Sequence, residues 1–210
     1  MTWRVNPGLP ILKPVRGDGD GWVVSDVGTH HWGVHGAAGL LLRAPWHDGS
    51  PAVLLQHRAA WSHQGGTWAL PGGALDSDED AEAAARREAH EEAGLAGTHI
   101  RVRTSVVTAE VSAADGTTWT YTTVVADAPE LLVTVANRES AELRWVPEAE
   151  VINLPLHPAF EQSWPSLRTR AGVPAHDCGL ELAHTVVIDE VFAWCSPAPD
   201  IRPPDSVRQG

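Results

Sequence analysis

Short runs of apolar residues alternate with turn-forming segments along most of the chain. The runs "VHGAAGLLLRAPW" (34–46) and "AVLLQHR" (52–58) are separated by "HDGSP", which is rich in turn-forming residues. Apolar runs of this length are typical of buried strands, so the pattern predicts a hairpin. A second hairpin is predicted where two β-rich runs (99–113 and 117–129) flank "ADGT".

Between the two hairpins the spacing of apolar residues becomes that of a helix, and after the second hairpin it predicts a further strand. Residues 77–92 have apolar positions at helical spacing and are predicted to form a helix, whereas "AELRWVP" (141–147) is predicted to be a strand. "ELLVTVA" fits either a short strand or an irregular stretch. "PEAEVINL" and "HPAFEQSWPSLRTR" look helical, with Pro165 interrupting the second. This mixture indicates an α+β fold, or an α/β/α sandwich, rather than a doubly wound parallel sheet.

The two ends of the chain differ from its centre. The first part is rich in turn-forming residues, with a short strand predicted at 22–25, and the last part is loop-rich, with one strand predicted at "AHTVVIDEVFAW" (183–194). We therefore expect an N-terminal extension (1–33), a central domain (34–170) and a C-terminal extension (171–210). The C-terminal strand could also pair across a homodimer.

The predicted helix carries its own start and stop signals. Ser77 is expected to cap its N-terminus, with Asp80 three residues on as an approximate capping box. Gly94 is placed as the helix stop. Four alanines on the helix lie at packing intervals and predict a face that packs closely on a sheet: Ala81, Ala84, Ala85 and Ala89.

Composition and charge narrow the class of protein. The chain has 210 residues, of which 43% are hydrophobic and 20% charged, and its formal net charge is −12. A chain this acidic repels nucleic-acid backbones, so we expect no nucleic-acid partner, although a divalent cation could still recruit a small polyanion. Two cysteines, no leader-like N-terminus and no long apolar run predict a cytoplasmic protein that does not span a membrane.

Three carboxylates on the helix point to a metal. Glu88, Glu91 and Glu92 occupy positions i, i+3 and i+4, so they project from one face. Like charges at this spacing destabilise a helix, and near its C-terminal end they also oppose the helix dipole. A hard divalent cation such as Mg²⁺ or Mn²⁺ resolves the conflict, because it prefers oxygen ligands. The plainer alternative is a solvated acidic face.

The segment 73–95, "GALDSDEDAEAAARREAHEEAGL", resembles the signature of the Nudix hydrolase family, GX5EX7REUXEEXGU with U apolar, at every defined position. The resemblance extends to roughly residues 35–168 through the surrounding strand pattern. It implies an α/β/α sandwich with a mixed sheet, in which the motif forms a loop–helix–loop. It also implies Mg²⁺- or Mn²⁺-dependent hydrolysis of a diphosphate linkage in a nucleotide substrate.

The resemblance assigns roles to individual residues. It makes Glu88, Glu91 and Glu92 metal ligands and catalytic groups, with the carbonyl of Gly72 as a further ligand. Glu79 and Arg87 would support the helix face, with Arg87 pairing either Glu79 or Glu91.

The general base would be a glutamate of the motif or one on a loop outside it. For the outside position the sequence offers Glu139, with Glu142 as second choice. Arg58 is a candidate for phosphate contact and Trp68 for substrate contact, each with a plainer alternative as an exposed strand end or a packing residue. Three histidines are further candidates for acid–base chemistry: His35, His57 and His63.

The motif does not fix the substrate. The first expectation is a nucleoside triphosphate, and an oxidised one is included in this class. An ADP-ribose, nucleotide-sugar or dinucleotide pyrophosphatase is the alternative, which the absence of proline in "SVVTAEV" weakly disfavours. The glycine spacing before "PGG" also disfavours coenzyme A. Two other classes are a non-catalytic binding module of the same fold, disfavoured because the motif is intact, and an acidic scaffold protein.

Overall fold

The structure, a computed structural model, describes residues 17–62, 64–96 and 99–168. The predicted strand at 183–194, and any pairing of it across a homodimer, lie outside these residues. Nine strands and two helices follow one another in the described part of the chain: β1 (Trp22–Val24), β2 (His30–Trp32), β3 (Ala37–Pro45), β4 (Pro51–Arg58), β5 (Trp68–Ala69), β6 (Gly72–Ala74), α1 (Ala81–Ala93), β7 (Arg101–Ser112), β8 (Thr118–Asp127), β9 (Ser140–Pro147) and α2 (Pro158–Leu167).

Seven strands form one mixed sheet. Its strands run in the order β5-β4-β3-β8-β7, with β6 also paired to β3 and β9 to β4. The pair β3–β8 is parallel, while the other pairs are antiparallel. Both predicted hairpins, β3–β4 and β7–β8, are confirmed, and so is the predicted strand that forms β9.

Both faces of this sheet are buried, each against one helix. Successive residues of a strand point to opposite faces, so neighbours on β3, β4 and β8 enter different clusters. The α1 side takes Leu40, Leu42, Leu54, Val124 and Ala126 with the helix alanines. The α2 side takes Leu41, Val53, Leu55 and Val125 with Phe160, Trp164 and Leu167. The predicted α+β class and α/β/α sandwich are therefore confirmed.

Helix α1 starts later than the sequence predicts. Its N-cap is Asp80, whose carboxylate accepts a hydrogen bond of 2.8 Å from the Ala83 N–H. The expected cap, Ser77, instead binds Asp18 of the N-terminal segment. The predicted stop is confirmed, because Gly94 adopts the left-handed conformation (φ 67°) that a side chain would strain.

Three smaller predictions need correction or are now decided. "ELLVTVA" (130–136) forms no regular element in the structure, and "PEAEVINL" forms only a short 3₁₀ helix at Val151–Asn153, since prolines at 147 and 155 flank it. Pro165 does not interrupt α2: it lies in the last turn, where its missing N–H removes one bond to the preceding turn, and the helix continues to Leu167. None of the described helices is long and apolar enough to cross a membrane.

The alanine face of α1 can be tested by overpacking. Ala84 is completely buried between the helix and the sheet, so Ala84→Leu should lower the free energy of unfolding by about 1–3 kcal/mol. Its neighbour Ala83 is exposed, and Ala83→Leu should change stability by less than about 0.5 kcal/mol. Urea denaturation measures both, and equal losses in the two variants would contradict close packing on this face.

Candidate active site

The three carboxylates of α1 share a face but differ in burial. Glu92 is 5% exposed, the Glu88 side chain is 15% exposed, and Glu91 is exposed to solvent. The acidic face therefore lies at the border between the buried and the exposed side of α1. Glu92 is the innermost of the three carboxylates and Glu91 the outermost. Burying a carboxylate is unfavourable unless partners compensate it, so these partners define the site.

Glu92 lies against the loop that precedes the helix. Its carboxylate accepts a hydrogen bond of 2.9 Å from the Gly72 N–H. Burial, together with the negative charge of Glu88, raises the pKa of Glu92 to about 8, while hydrogen bonds from Gln56 and Gly72 oppose this shift. Burial likewise raises the pKa of Glu88 to about 7, against the effect of Arg87. A cation that binds both groups would therefore release protons at neutral pH.

Glycines let the backbone approach these carboxylates. A Cβ placed on Gly73 would lie 2.4 Å from Glu88 Oε1, and one on Gly72 would lie 2.3 Å from the Ala38 carbonyl oxygen. On β3, a Cβ on Gly39 would lie 2.0 Å from the hydroxyl oxygen of Tyr121. A side chain at Gly72 would push β6 away from β3, whereas one at Gly73 or Gly39 would displace the Glu88 carboxylate or the Tyr121 hydroxyl.

Arg87 is the cation that orders the acidic face. It donates two hydrogen bonds to Glu79, at 2.8 and 2.9 Å, one of 2.7 Å to Glu88 and one of 2.9 Å to the Ala74 carbonyl oxygen. The sequence left its partner open between Glu79 and Glu91, and the structure places it on Glu79. The bond to Arg87 lowers the pKa of Glu79, and its acidic partners raise the pKa of Arg87.

Of the two outside glutamates, only Glu139 is placed beside the acidic helix face. Its negative charge contributes to the raised pKa of both Glu88 and Glu92, so it lies within electrostatic reach of them. It is half-buried, in a loop tied to β4 by a 3.0 Å bond from the Ala59 N–H to the Glu139 carbonyl. Glu142, in contrast, is held by two hydrogen bonds from Arg144 at 2.8 Å.

Both residues predicted to contact substrate, Arg58 and Trp68, are buried, so Arg58 is not an exposed strand end. Arg58 is 3% exposed, and its charge acts on the pKa of Tyr121, which lies beside it. Trp68 is 5% exposed and stacks on His57, with 4.8 Å between ring centroids. Arg144 lies over the same indole ring at 4.7 Å. His35 is exposed, and His63 is outside the described residues.

Two residues of the site escaped the sequence reasoning. Gln56 is a polar residue inside an apolar strand; it is 1% exposed, donates a 2.9 Å hydrogen bond to Ser140 and opposes the raised pKa of Glu92. Tyr121 is buried, and burial with the charges of Glu92 and Glu88 raises its pKa. A lone polar residue in a buried strand was the available signal for Gln56, whereas only the fold places Tyr121 here.

A pocket opens next to Tyr121, between the sheet and α2. Its volume of about 280 Å³ includes solvent at the mouth, and its enclosed part has room for about one water molecule. The walls combine apolar groups with hydroxyls and an imidazole: Ala69, Leu70, Thr108, Tyr121, Thr123, His157, Ala159, Phe160 and Ser163.

The donor chemistry of this site fits a hard divalent cation. Glu88 and Glu92 are carboxylates whose pKas are raised by burial first and by neighbouring carboxylates second, and Glu91 adds a third carboxylate on the same face. Within the described ranges, no three acidic, histidine or cysteine side chains already form a closed ligand cluster. Glu88 is paired with Arg87 and Glu92 with Gly72, so a cation would draw these carboxylates from existing partners.

Comparisons with known proteins agree on one family. The NUDIX domain model matches residues 34–168. "Putative 8-oxo-dGTP diphosphatase 3" of Mycobacterium tuberculosis is 64% identical over 190 residues, which cover 88% of each chain. A "nucleoside triphosphate pyrophosphatase/Nudix hydrolase fusion protein" of Bifidobacterium longum is 40% identical over 77% of this chain but only 33% of its own length. The crystal structure of a Nudix hydrolase from M. smegmatis, RenU, is 67% identical, with a TM-score of 0.70 over 71% of this chain and 93% of that one.

The organising role of Arg87 leads to a stability prediction. A lysine cannot bind Glu79 through two parallel bonds and also contact Glu88 and the Ala74 carbonyl. Arg87→Lys should therefore lower the free energy of unfolding by about 1–3 kcal/mol in urea denaturation. The neighbouring Arg86 pairs with half-exposed Glu82, so Arg86→Lys should cost about 0.5 kcal/mol or less. Equal costs would show that Arg87 does not organise the acidic face.

Proposed function

The chain belongs to the Nudix hydrolase family, which acts on phosphoric anhydride bonds, and from this premise we propose that it hydrolyses an oxidised purine nucleoside triphosphate of the 8-oxo-dGTP type with Mg²⁺ or Mn²⁺. The observation that carries the proposal is the group of carboxylates around Glu88 and Glu92, both with raised pKas and both within the field of Glu139. Such a concentration of perturbed carboxylates marks a reaction centre more often than a surface feature.

Glu88, Glu91 and Glu92, with the carbonyl of Gly72, are the groups that would hold the metal. A divalent cation bound there would supply charge neutralisation of the phosphates and activation of water. Arg87 keeps Glu88 at the centre of the acidic face, and the Gly72 N–H keeps Glu92 turned toward the loop. The chain therefore orients two ligands through contacts that do not depend on substrate.

Glu139 is the residue we propose as general base. It is half-buried and close to the carboxylates without belonging to their helix, so it can receive a proton from a water beside the scissile phosphate. Its loop is held at one side by the bond from the Ala59 N–H and at the other by a 3.3 Å bond from the Asn137 N–H to the Glu92 carbonyl on α1. Glu142 is a weaker candidate because Arg144 occupies both of its carboxylate oxygens.

The substrate class rests on similarity to a curated relative. The chain is 64% identical to a protein named a putative 8-oxo-dGTP diphosphatase, over 88% of its length. The pocket beside Tyr121 carries no part of this assignment, because its enclosed part has room for about one water molecule and its Thr108 and Thr123 hydroxyls bond each other. Arg58, near Tyr121, is the cation we propose for phosphate contact, whereas the contacts of the buried Trp68 ring with His57 and Arg144 favour a packing role.

A substrate panel tests the proposal. With Mg²⁺ or Mn²⁺, 8-oxo-dGTP should be hydrolysed with a kcat/KM at least about tenfold above those for dGTP, ADP-ribose, NADH, dinucleoside polyphosphates and coenzyme A. Pyrophosphate or phosphate release, read by a coupled assay, measures the rates. Glu92→Gln, which keeps the shape of the side chain, should reduce the activity at least about a hundredfold.

Glu82→Gln is the matched control for Glu92→Gln. Glu82 lies on the same helix and forms an ion pair with Arg86, away from Glu88 and Glu92, so its loss should leave activity within about twofold. Full activity of Glu92→Gln would remove the metal-site proposal. Preference for a substrate without a triphosphate would keep the hydrolase but overturn the proposed substrate class.

The assignment of the base gives a separate prediction. Glu139→Gln should lower kcat by about a hundredfold to ten-thousandfold while leaving Mn²⁺ affinity within a few-fold, because it removes proton acceptance without removing a ligand. Glu142→Gln should leave kcat nearly unchanged. Steady-state kinetics at saturating metal distinguish the two variants, and a larger loss in Glu142→Gln would reverse the assignment.

A further inference from the structure

A repeated sequence motif in the N-terminal segment lies directly on the loop before α1. The motif is "GDGDG" at residues 17–21, which precedes the region matched by the family model. We propose that Asp18 in this motif is a positioning residue, which fastens the loop 75–79 and thereby holds Glu88 where a metal needs it. The inference rests on the proposed metal site, and it adds a residue from outside the family motif to that site.

Asp18 binds the loop through a matched pair of hydrogen bonds. Its two carboxylate oxygens accept from the Ser77 N–H at 2.8 Å and from the Ser77 hydroxyl at 2.5 Å. The next residue, Gly19, donates its N–H to Asp76 Oδ1 at 3.0 Å. These contacts join residues 57 and 59 positions apart in sequence, so they are made by the fold and not by a local turn.

The glycines of the motif are what permit this contact. A Cβ on Gly17 would lie 2.0 Å from Asp76 Oδ1, and one on Gly19 would lie 1.8 Å from the Leu75 carbonyl oxygen. The second of these is a backbone atom that cannot turn away. Alternation of glycine and aspartate therefore lets the segment lie against the loop while Asp18 projects onto Ser77.

From the loop a continuous series of contacts leads to Glu88. The Asp76 N–H donates to Glu79 at 3.3 Å, Glu79 accepts two bonds from Arg87, and Arg87 donates to Glu88 at 2.7 Å. Because Asp76 and Ser77 are both held by the N-terminal segment, their position sets the position of Glu79. Partners of this kind, one contact removed from a ligand, commonly change metal affinity by about ten- to a hundredfold.

If Asp18 only stabilised the fold, its loss would lower stability rather than metal affinity. Helix α1 has its own N-cap in Asp80 and its own buried alanine face, so neither depends on Asp18. Loss of Asp18 should therefore leave the fold intact and loosen only the loop that carries Glu79. The expected signature is weaker metal binding with an unchanged kcat once metal is saturating.

Isothermal titration of the full chain with Mn²⁺, without substrate, is the first test. Asp18→Ala should raise the dissociation constant about threefold to tenfold, since Asp18 acts at a greater remove than a direct partner of a ligand. Asp18→Asn should bind more tightly than Asp18→Ala, because its amide can still accept from the Ser77 N–H. In kinetics, the Mn²⁺ concentration for half-maximal activity should rise by the same factor while kcat stays within about twofold.

Asp115→Ala is the matched control. Asp115 is also an exposed carboxylate that accepts both the N–H (2.9 Å) and the hydroxyl (2.6 Å) of one residue, Thr117, but within the β7–β8 turn. It should bind Mn²⁺ as the unaltered chain does. A fall in affinity equal to that of Asp18→Ala would overturn the inference, because the effect would then be unspecific.

A double-mutant cycle that combines Asp18→Ala with Ser77→Ala tests the inference even if Asp18→Ala loses stability. If Asp18 acts through Ser77, the double variant should bind Mn²⁺ about as weakly as the weaker single variant, and additive losses would overturn the inference. Unchanged affinity in Asp18→Ala would overturn this inference alone and leave the hydrolase proposal standing. Failure of the unaltered chain to bind Mn²⁺ would overturn the metal site and the inference with it.

Discussion

The burial of two carboxylates on one face of α1 is the constraint on which the rest of the site depends. Glu88 and Glu92 repel each other, and burial raises the pKa of each. The chain offsets this cost with one cation, Arg87, and one backbone donor, the Gly72 N–H. The compensation is partial, because the pKas of both carboxylates stay raised despite these partners.

The same constraint explains the small residues around the helix. To bring Glu92 to the Gly72 N–H, α1 must lie close to β3 and β6, and the completely buried Ala84, Ala85 and Ala89 allow that approach. On the facing side, Gly72 and Gly73 have no room for a Cβ. Larger residues on either surface would separate the carboxylates from their partners before they disturbed the core elsewhere.

Local patterns predicted much of the fold, and contacts between distant segments account for what they missed. Both hairpins, the alanine face and the Gly94 stop follow from residues close in sequence. The expected cap at Ser77 was wrong because Asp18, 59 positions away, binds that residue, and Asp80 then caps the helix. The motif predicted the acidic residues of the site, whereas Gln56 and Tyr121 required the pairing of β4, β3 and β8.

The acidic face and the pocket beside Tyr121 are built from different parts of the chain. The groups proposed to hold the metal lie between residues 72 and 92, on one loop and one helix. The walls of the pocket beside Tyr121 come instead from β7, β8, α2 and the segment around Leu70. None of these lies within the motif at 73–95. Tyr121 links the pocket and the acidic face, because it lines the pocket and the charge of Glu92 adds to the effect of burial in raising its pKa. A change in the pocket can therefore reach the electrostatics of Glu92 through Tyr121.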